Sequence, residues 1–272
     1  MARKIGIIGC GNMGEAILAQ SVKAGKARNF IIFEKDKLKE AFVCRIYKVK
    51  SAIDITDLLY KCAVIVIAVK PQDIDTVLEQ IKKRVEVFKK RDILIISIIA
   101  GIKTEYIERR VSVKIRVIRA MPNLPAKIGE GITALTKGAY ATDRDLRVAK
   151  KIFDSLGVTI EIPKERLIEV VTALSGSGPA YIFFIINAML TAAKALGLDN
   201  KSANQLIYHT VVGAMDLHKA SKFDAEKLIS QVASKGGTTE AALKFFKDNK
   251  LNEIIYDGMF AAFKRAKELS RK

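Results

Sequence analysis

Residues 4–14 read KIGIIGCGNMG, a short apolar run that breaks into a loop with glycines at 9, 11 and 14. EAILAQSVKAG (15–25) follows, with its apolar residues at helical spacing. Gly9 permits a tight turn, Gly11 lets a pyrophosphate approach the backbone, and Gly14 lets the helix pack close to the strand. Asn12 and Met13 complete the loop, and the helix opening there offers free N–H groups and a positive dipole end to phosphates. Glu34 falls 20 residues beyond Gly14, at the end of the next apolar run, where a carboxylate can accept from both ribose hydroxyls. A tight turn with no ligand would use the same glycines, but strand, loop, helix and acid together predict a dinucleotide site. Its flavour stays open. An acid at 34 repels a 2′-phosphate and points to NADH, whereas Lys35, Lys37 and Lys39 could neutralise one and admit NADPH.

Outward from the loop, NFIIFEKD (29–36), AVIVIAVKP (63–71) and DILIISII (92–99) read as strands, with SAIDITDLLYKC (51–62) and DIDTVLEQIKKRVEVF (73–88) as helices between them. Continuous Ile and Val runs are what strands covered on both faces require, and their alternation with amphipathic helices predicts a parallel, doubly wound α/β sheet. AVKP closes its strand at the edge that faces the ligand crevice, so Lys70 lies either near the cofactor or in solvent. A helix near 103–110, strands KIRVIRAM (114–121) and GITALTKG (131–138), a helix near 143–156 and a strand VTIEIP (158–163) complete this half. From Lys164 on every segment reads as helix. The expected organisation is a dinucleotide-binding Rossmann domain at 1–163 and an all-α domain at 164–272, too apolar on too many faces to stand alone and therefore packed against a twin copy.

Composition narrows the chemistry. Lys and Arg number 47 against 29 Asp and Glu, a formal net charge of +18 that favours anionic partners. The excess is spread along the chain with no arginine-rich tract, so no nucleic-acid partner is expected. Three cysteines, Cys10, Cys44 and Cys62, form no CxxC pair and read as free thiols in a reducing, cytoplasmic setting. Glycines interrupt the first apolar run too early for a secretory signal. The uncharged stretch Val170 to Ala193 is long enough to cross a bilayer, but SGSGP breaks it and its Ser, Thr, Asn and Tyr favour a helix buried in a core or between subunits over a membrane span. No metal-binding cluster is present, and the two histidines, His209 and His218, read as structural. GSG at 176–178 lacks the pattern of a nucleophile elbow. A chain with no obvious base for deprotonating an alcohol suits reduction of a substrate that arrives protonated, such as an imine.

IGIIGCGNMGEAI (5–17), IAVKPQ (67–72), SIIAGI (97–102), MPNLPAKIGEG (121–131), ALSGSGPAYIF (173–183) and SKGGTTEAAL (234–243) occur in the order and spacing of the pyrroline-5-carboxylate reductase family, which the whole chain resembles. GSGPAY and GGTT are far more specific than the glycine loop. The resemblance implies a Rossmann domain and a helical domain intertwined with a second subunit, as a homodimer or a ring of such dimers. It implies NADPH- or NADH-dependent reduction of the C=N bond of 1-pyrroline-5-carboxylate to L-proline. It assigns the cofactor to Gly9–Gly14, to Ala68, Val69, Lys70 and Pro71, and to the turn at Ala100 and Gly101. The substrate carboxylate and ring go to Ser234, Gly236, Gly237, Thr238 and Thr239, with the Thr239 hydroxyl nearest the imine nitrogen.

Three positions depart from the family's usual pattern. Leu124 stands where a Thr is common, Lys235 where SPGGTT has proline, and Ile55 where an Asn often lies near the adenosine ribose. Ile55 and Glu34 together argue against strict NADPH use. Other readings are a β-hydroxyacid dehydrogenase, for which Lys194 is the candidate base, a reductase of a larger cyclic imine, and a non-catalytic dinucleotide sensor or nucleic-acid binder.

Overall fold

Ile and Val runs without polar alternation need cover on both faces, and the sheet they build has it. The computed structural model describes residues 4–87, 93–111 and 114–270; Phe88, Asp92, Arg271 and Lys272, assigned above to helix or strand, lie outside them. Strands β1 (Ile5–Ile8), β2 (Phe30–Phe33), β3 (Lys50–Ser51), β4 (Val64–Ile67), β5 (Leu94–Ser97), β6 (Arg116–Pro122), β7 (Gly131–Lys137) and β8 (Gly157–Glu161) form one sheet in the order β3-β2-β1-β4-β5-β6-β7-β8. Successive residues point to opposite faces. Ile7, Val66 and Ile96 join one buried cluster, and Ile8, Ile65 and Ile95 the other. Helices α1 (Asn12–Lys23), α2 (Lys37–Tyr47) and α6 (Asp143–Phe153) cover the first face through Ile17, Val43 and Leu146. Helices α3 (Ile55–Lys61), α4 (Ile74–Val87) and α5 (Thr104–Val111) cover the second through Leu58, Leu78 and Ile107.

The sheet is doubly wound, as expected, but mixed rather than all-parallel: β7 runs antiparallel to β6, with Ala120 opposite Leu135. Only residues 123–130 join them, and a parallel crossover needs a dozen or more residues. The short edge strand β3, Lys50 and Ser51, has no apolar run to announce it. The strand order reverses at β1, which pairs with β2 on one side and β4 on the other. Loops leaving β1 and β4 in opposite directions open a crevice between them.

Compactness divides the chain into two units, one running to Pro179 and taking in the residues from Ala262 on, the other Ala180–Ala261. Within the first, Arg119 on β6 is 2% exposed and donates from Nη1 to Glu165 Oε1 and Glu169 Oε1, both at 3.2 Å. Glu165 in turn accepts from the Thr104 N–H at 2.8 Å and its hydroxyl at 2.7 Å. These bonds tie the stretch leading into α7 (Ile168–Val171) to β6 and to the start of α5. Breaking such a buried network costs far more than forming it returns.

Helices α8 (Gly178–Ala195), α9 (Asn200–Ala220), α10 (Ala225–Val232), α11 (Thr238–Asp248) and α12 (Leu251–Leu269) follow, and no strand occurs beyond Glu161 among the described residues. SGSGP does not end the helical path outright: Thr172–Gly176 form a turn of π-helix, closed by the Ser177 N–H donating to the Thr172 carbonyl at 2.9 Å, before α8 begins. Side chains of Ala180–Ala261 bury little among themselves. Ala203 and Ile207 are the buried apolar residues described there, while Phe184 is 76% exposed. Glu165–Ala195 is long and apolar enough to span a membrane by length and composition. Only 17% of its most apolar stretch is buried, so it is not the core of its own chain.

Candidate functional site

The loop beside β1 rests on two glycines that have no room for anything larger. Gly9 adopts φ +91°, and a Cβ there would lie 2.9 Å from the Ala68 carbonyl oxygen. At Gly14 a Cβ would lie 2.1 Å from the Gly9 carbonyl oxygen. Gly11 differs: a Cβ there would meet nothing within 4 Å, so its missing side chain leaves open space above the loop. Gly11 is also the residue before α1, with no side chain capping that helix. Open backbone and uncapped first-turn N–H groups are what a pyrophosphate needs. The residues present therefore fit a dinucleotide.

A cavity of about 480 Å³ extends from this loop, lined among others by Gly9, Gly11, Glu34, Lys35, Val69 and Lys70. Glu34 is 8% exposed. Its Oε2 accepts from the Cys10 N–H at 2.7 Å and its Oε1 from the Asp36 N–H at 3.2 Å. Lys35 Nζ donates to Asp73 Oδ1 at 2.8 Å, and that carboxylate holds the ammonium above its ordinary pKa. Lys37 is drawn to Glu40 at 3.2 Å and does not line the cavity, whereas Lys39 does. Ile55, buried at the start of α3, gives the cavity an apolar wall.

Other expected cofactor residues are not part of this cavity's lining. Asn12 is exposed and accepts from Lys127 Nζ at 3.1 Å, and Met13 packs on the core. Ala68 lies beneath the loop, and Pro71 opens the 3-10 turn Pro71–Asp73. Gly101 has φ +79°, and a Cβ there would lie 2.8 Å from the Leu269 carbonyl oxygen, so packing alone already demands glycine. Phe33, Gln72, Asp73 and Thr76 also line the cavity and were not singled out from sequence. Cys10 is buried, and burial first, then the Glu34 carboxylate, pushes its thiol up to about 12. It is neutral at physiological pH, which disfavours a redox role in the loop.

The second glycine loop, Ser234–Gly237, leads into α11. Gly236 has φ +74°, and a Cβ on Gly237 would lie 2.5 Å from Ser234 Oγ. Gly237 precedes the helix without a capping side chain, so the N–H groups of Thr238 and Thr239 open the first turn uncapped. Glu240 Oε2 takes the Gly236 N–H at 2.6 Å. Thr239 is half-buried, Thr238 and Lys235 are exposed, and Gly236, Gly237 and Glu240 line a surface cavity. His209 and His218 are exposed, with His209 edge-on to Tyr208 at 5.2 Å, and no group of metal-binding side chains occurs among the described residues. Lys194 is exposed near the end of α8, and Leu124 is exposed in the turn after β6.

Comparison with known proteins bears on both loops. Residues 165–269 match the family described as pyrroline-5-carboxylate reductase dimerisation, and residues 4–101 that described as NADP oxidoreductase, coenzyme F420-dependent. A pyrroline-5-carboxylate reductase 2 of Bacillus subtilis is 32% identical over 99% of this chain and 96% of its own length. Among solved structures, a pyrroline-5-carboxylate reductase from Coxiella burnetii superposes with a TM-score of 0.91 at 33% identity over 100% of both chains. That of Plasmodium falciparum, solved with NADP bound, gives 0.85 at 27% identity over 98% of both.

Proposed function

From the premise that the chain belongs to the pyrroline-5-carboxylate reductase family, we propose that it reduces the C=N bond of 1-pyrroline-5-carboxylate to L-proline with NADPH or NADH, the last step of proline biosynthesis. The observation that carries this reading is the uncapped start of α11 behind two glycines, a cradle for a carboxylate in a chain that also has a dinucleotide loop. The β-hydroxyacid dehydrogenase reading is not favoured.

Bound NAD(P)H supplies the hydride. Gly9, Gly11 and Gly14, with Asn12 and Met13, hold its pyrophosphate; Glu34, Lys35, Ala68, Val69, Lys70, Pro71, Ala100 and Gly101 surround the rest. Ser234, Gly237 and Thr238 take the substrate carboxylate through backbone N–H groups and hydroxyls, and Gly236, whose N–H serves Glu240, shapes the turn that presents them. Anchoring the ring there fixes the imine carbon for attack, and such positioning supplies much of the acceleration. The Thr239 hydroxyl pairs with the ring nitrogen and orients it, accepting from the N–H of a protonated imine or donating to a neutral one. Its own pKa is too high to make it the ultimate acid, so the nitrogen arrives protonated or takes its proton from water.

Residues 1–163 act as the dinucleotide-binding domain and 164–272 as the substrate and dimerisation domain. The chain works as a homo-oligomer, built as a homodimer through its helices and extended into a ring of dimers, in the cytoplasm. Absorbance loss of NADH and of NADPH, each with pyrroline-5-carboxylate, tests the reaction. Oxidation of neither overturns it.

A further inference from the structure

Six charged side chains line the cavity beyond the first glycine loop: Glu34, Asp36 and Asp73, and Lys35, Lys39 and Lys70. Their formal charges cancel. Two of the acids are already committed. Glu34 gives one oxygen to the Cys10 N–H and the other to the Asp36 N–H, and it is almost wholly buried. Asp36 accepts from the Leu38 and Lys39 N–H groups at the start of α2. Asp73 alone among the three spends its charge on a cation, Lys35, at 2.8 Å. That lysine side chain is 74% exposed and the aspartate 32%. Exposed ion pairs of this kind are worth only about 0–1 kcal/mol, so a doubly charged anion entering the cavity can take Lys35 over at small cost.

Resting on the dinucleotide reading above, we infer that Asp73, through its pair with Lys35, sets how well the site takes a 2′-phosphate, and that Glu34 holds the glycine loop instead of reading the ribose. Asp73 lies on the turn after β4 and Lys35 just beyond β2, so the pair bridges the two walls of the cavity. With Asp73 charged, a 2′-phosphate meets a lysine already engaged. Without that charge Lys35 is free to turn to the phosphate. Glu34 acts on both cofactors alike, because the Cys10 N–H it fixes belongs to the turn under the shared pyrophosphate. Asp73 and Glu34 are thus positioning residues with separable effects.

Calorimetric titration of the full-length protein with 2′,5′-ADP and with 5′-AMP, alongside NADPH and NADH, separates them. Asp73→Asn is expected to raise the preference for 2′,5′-ADP over AMP by about two- to fivefold, the upper range of what an exposed ion pair is worth. Lys35→Gln should lower it, and Asp73→Glu, which keeps the pair, should return the wild-type ratio. Glu34→Gln should weaken both ligands together and leave their ratio alone. An unchanged ratio in Asp73→Asn, or a selective gain for 2′,5′-ADP in Glu34→Gln, overturns the inference. If the wild-type protein binds none of the four ligands, the dinucleotide reading itself falls and takes this one with it.

Discussion

The sheet unit and the helical unit are made from similar proportions of apolar residues and dispose of them in opposite ways. Ile7, Ile65 and Leu94 are fully buried by helices of their own chain. Phe184, Tyr208, Met215 and Phe245 are each more than half exposed. Large apolar side chains left exposed on several helices point to an interaction site, and the segment that carries them matches a dimerisation family. One half therefore has a complete core by itself, and the other completes its core by assembly.

The largest expected effect breaks that contrast directly. Phe184→Glu puts a charge on the exposed face of α8 and should convert the oligomer to monomers, with turnover falling on the order of a hundredfold; light scattering after size exclusion reads the first and NADPH consumption the second. Ile46→Glu, on the half-exposed end of α2, should leave the assembly as it is. If Ile46→Glu dissociates the protein and Phe184→Glu does not, the two units have been assigned the wrong way round. Next in size is Ile65→Ala, which opens a cavity in the sheet core and should cost about 2–5 kcal/mol. Its denaturation midpoint should shift by the same amount at every protein concentration. The loss in Phe184→Ala should instead vary with concentration, because assembly supplies the stability there.

This contrast also explains what the sequence made legible. The Ile and Val runs need cover on both faces, and Gly9, Gly11 and Gly14 take their meaning from the strand, helix and acid around them, so the doubly wound sheet and its loop could be read directly. The direction of β7 could not, because it depends on how far residues 123–130 reach, and β3 has no apolar signal. Glu34 was found by its spacing from Gly14, but its partners were not, since both are backbone N–H groups that carry no residue identity. Asp73 carries no sequence signal, because its partner Lys35 lies 38 positions away in the chain. In the helices the apolar excess was plain, and whether the chain buried it alone became visible only with Phe184 in place.

A smaller effect separates the two glycine loops. Thr239→Ala should lower kcat about 10- to 100-fold while cofactor affinity holds, since a lost hydrogen bond to the reacting ring is felt mainly in the chemical step. Gly11→Val should do the reverse. The space above Gly11 is open, so the valine is accommodated by the fold, but it occupies the path of the pyrophosphate. Fluorescence titration with NADPH and steady-state kinetics on both variants check the pair. Loss of cofactor affinity in Thr239→Ala with turnover intact would remove α11 from the chemistry.

The smallest effect tests how tightly the sheet unit is closed. The Cys10 thiol has a folded pKa of about 12 against an ordinary 9.0, because burial and then Glu34 disfavour its thiolate. A thiol raised on folding contributes its full stability below pH 9, and that contribution is lost as pH rises from 9 toward 12, where the unfolded chain releases a proton that the folded one keeps. The loss from this residue should approach about 1.4 kcal/mol per pH unit within that window. Urea midpoints from pH 8 to 10.5 should accordingly fall more steeply for the wild type than for Cys10→Ala. The subtraction matters, because Cys44 and Tyr47 are raised by burial as well and slope the same way. Parallel curves for the two proteins would mean that solvent reaches Cys10, and with it the turn that Glu34 is held to fix.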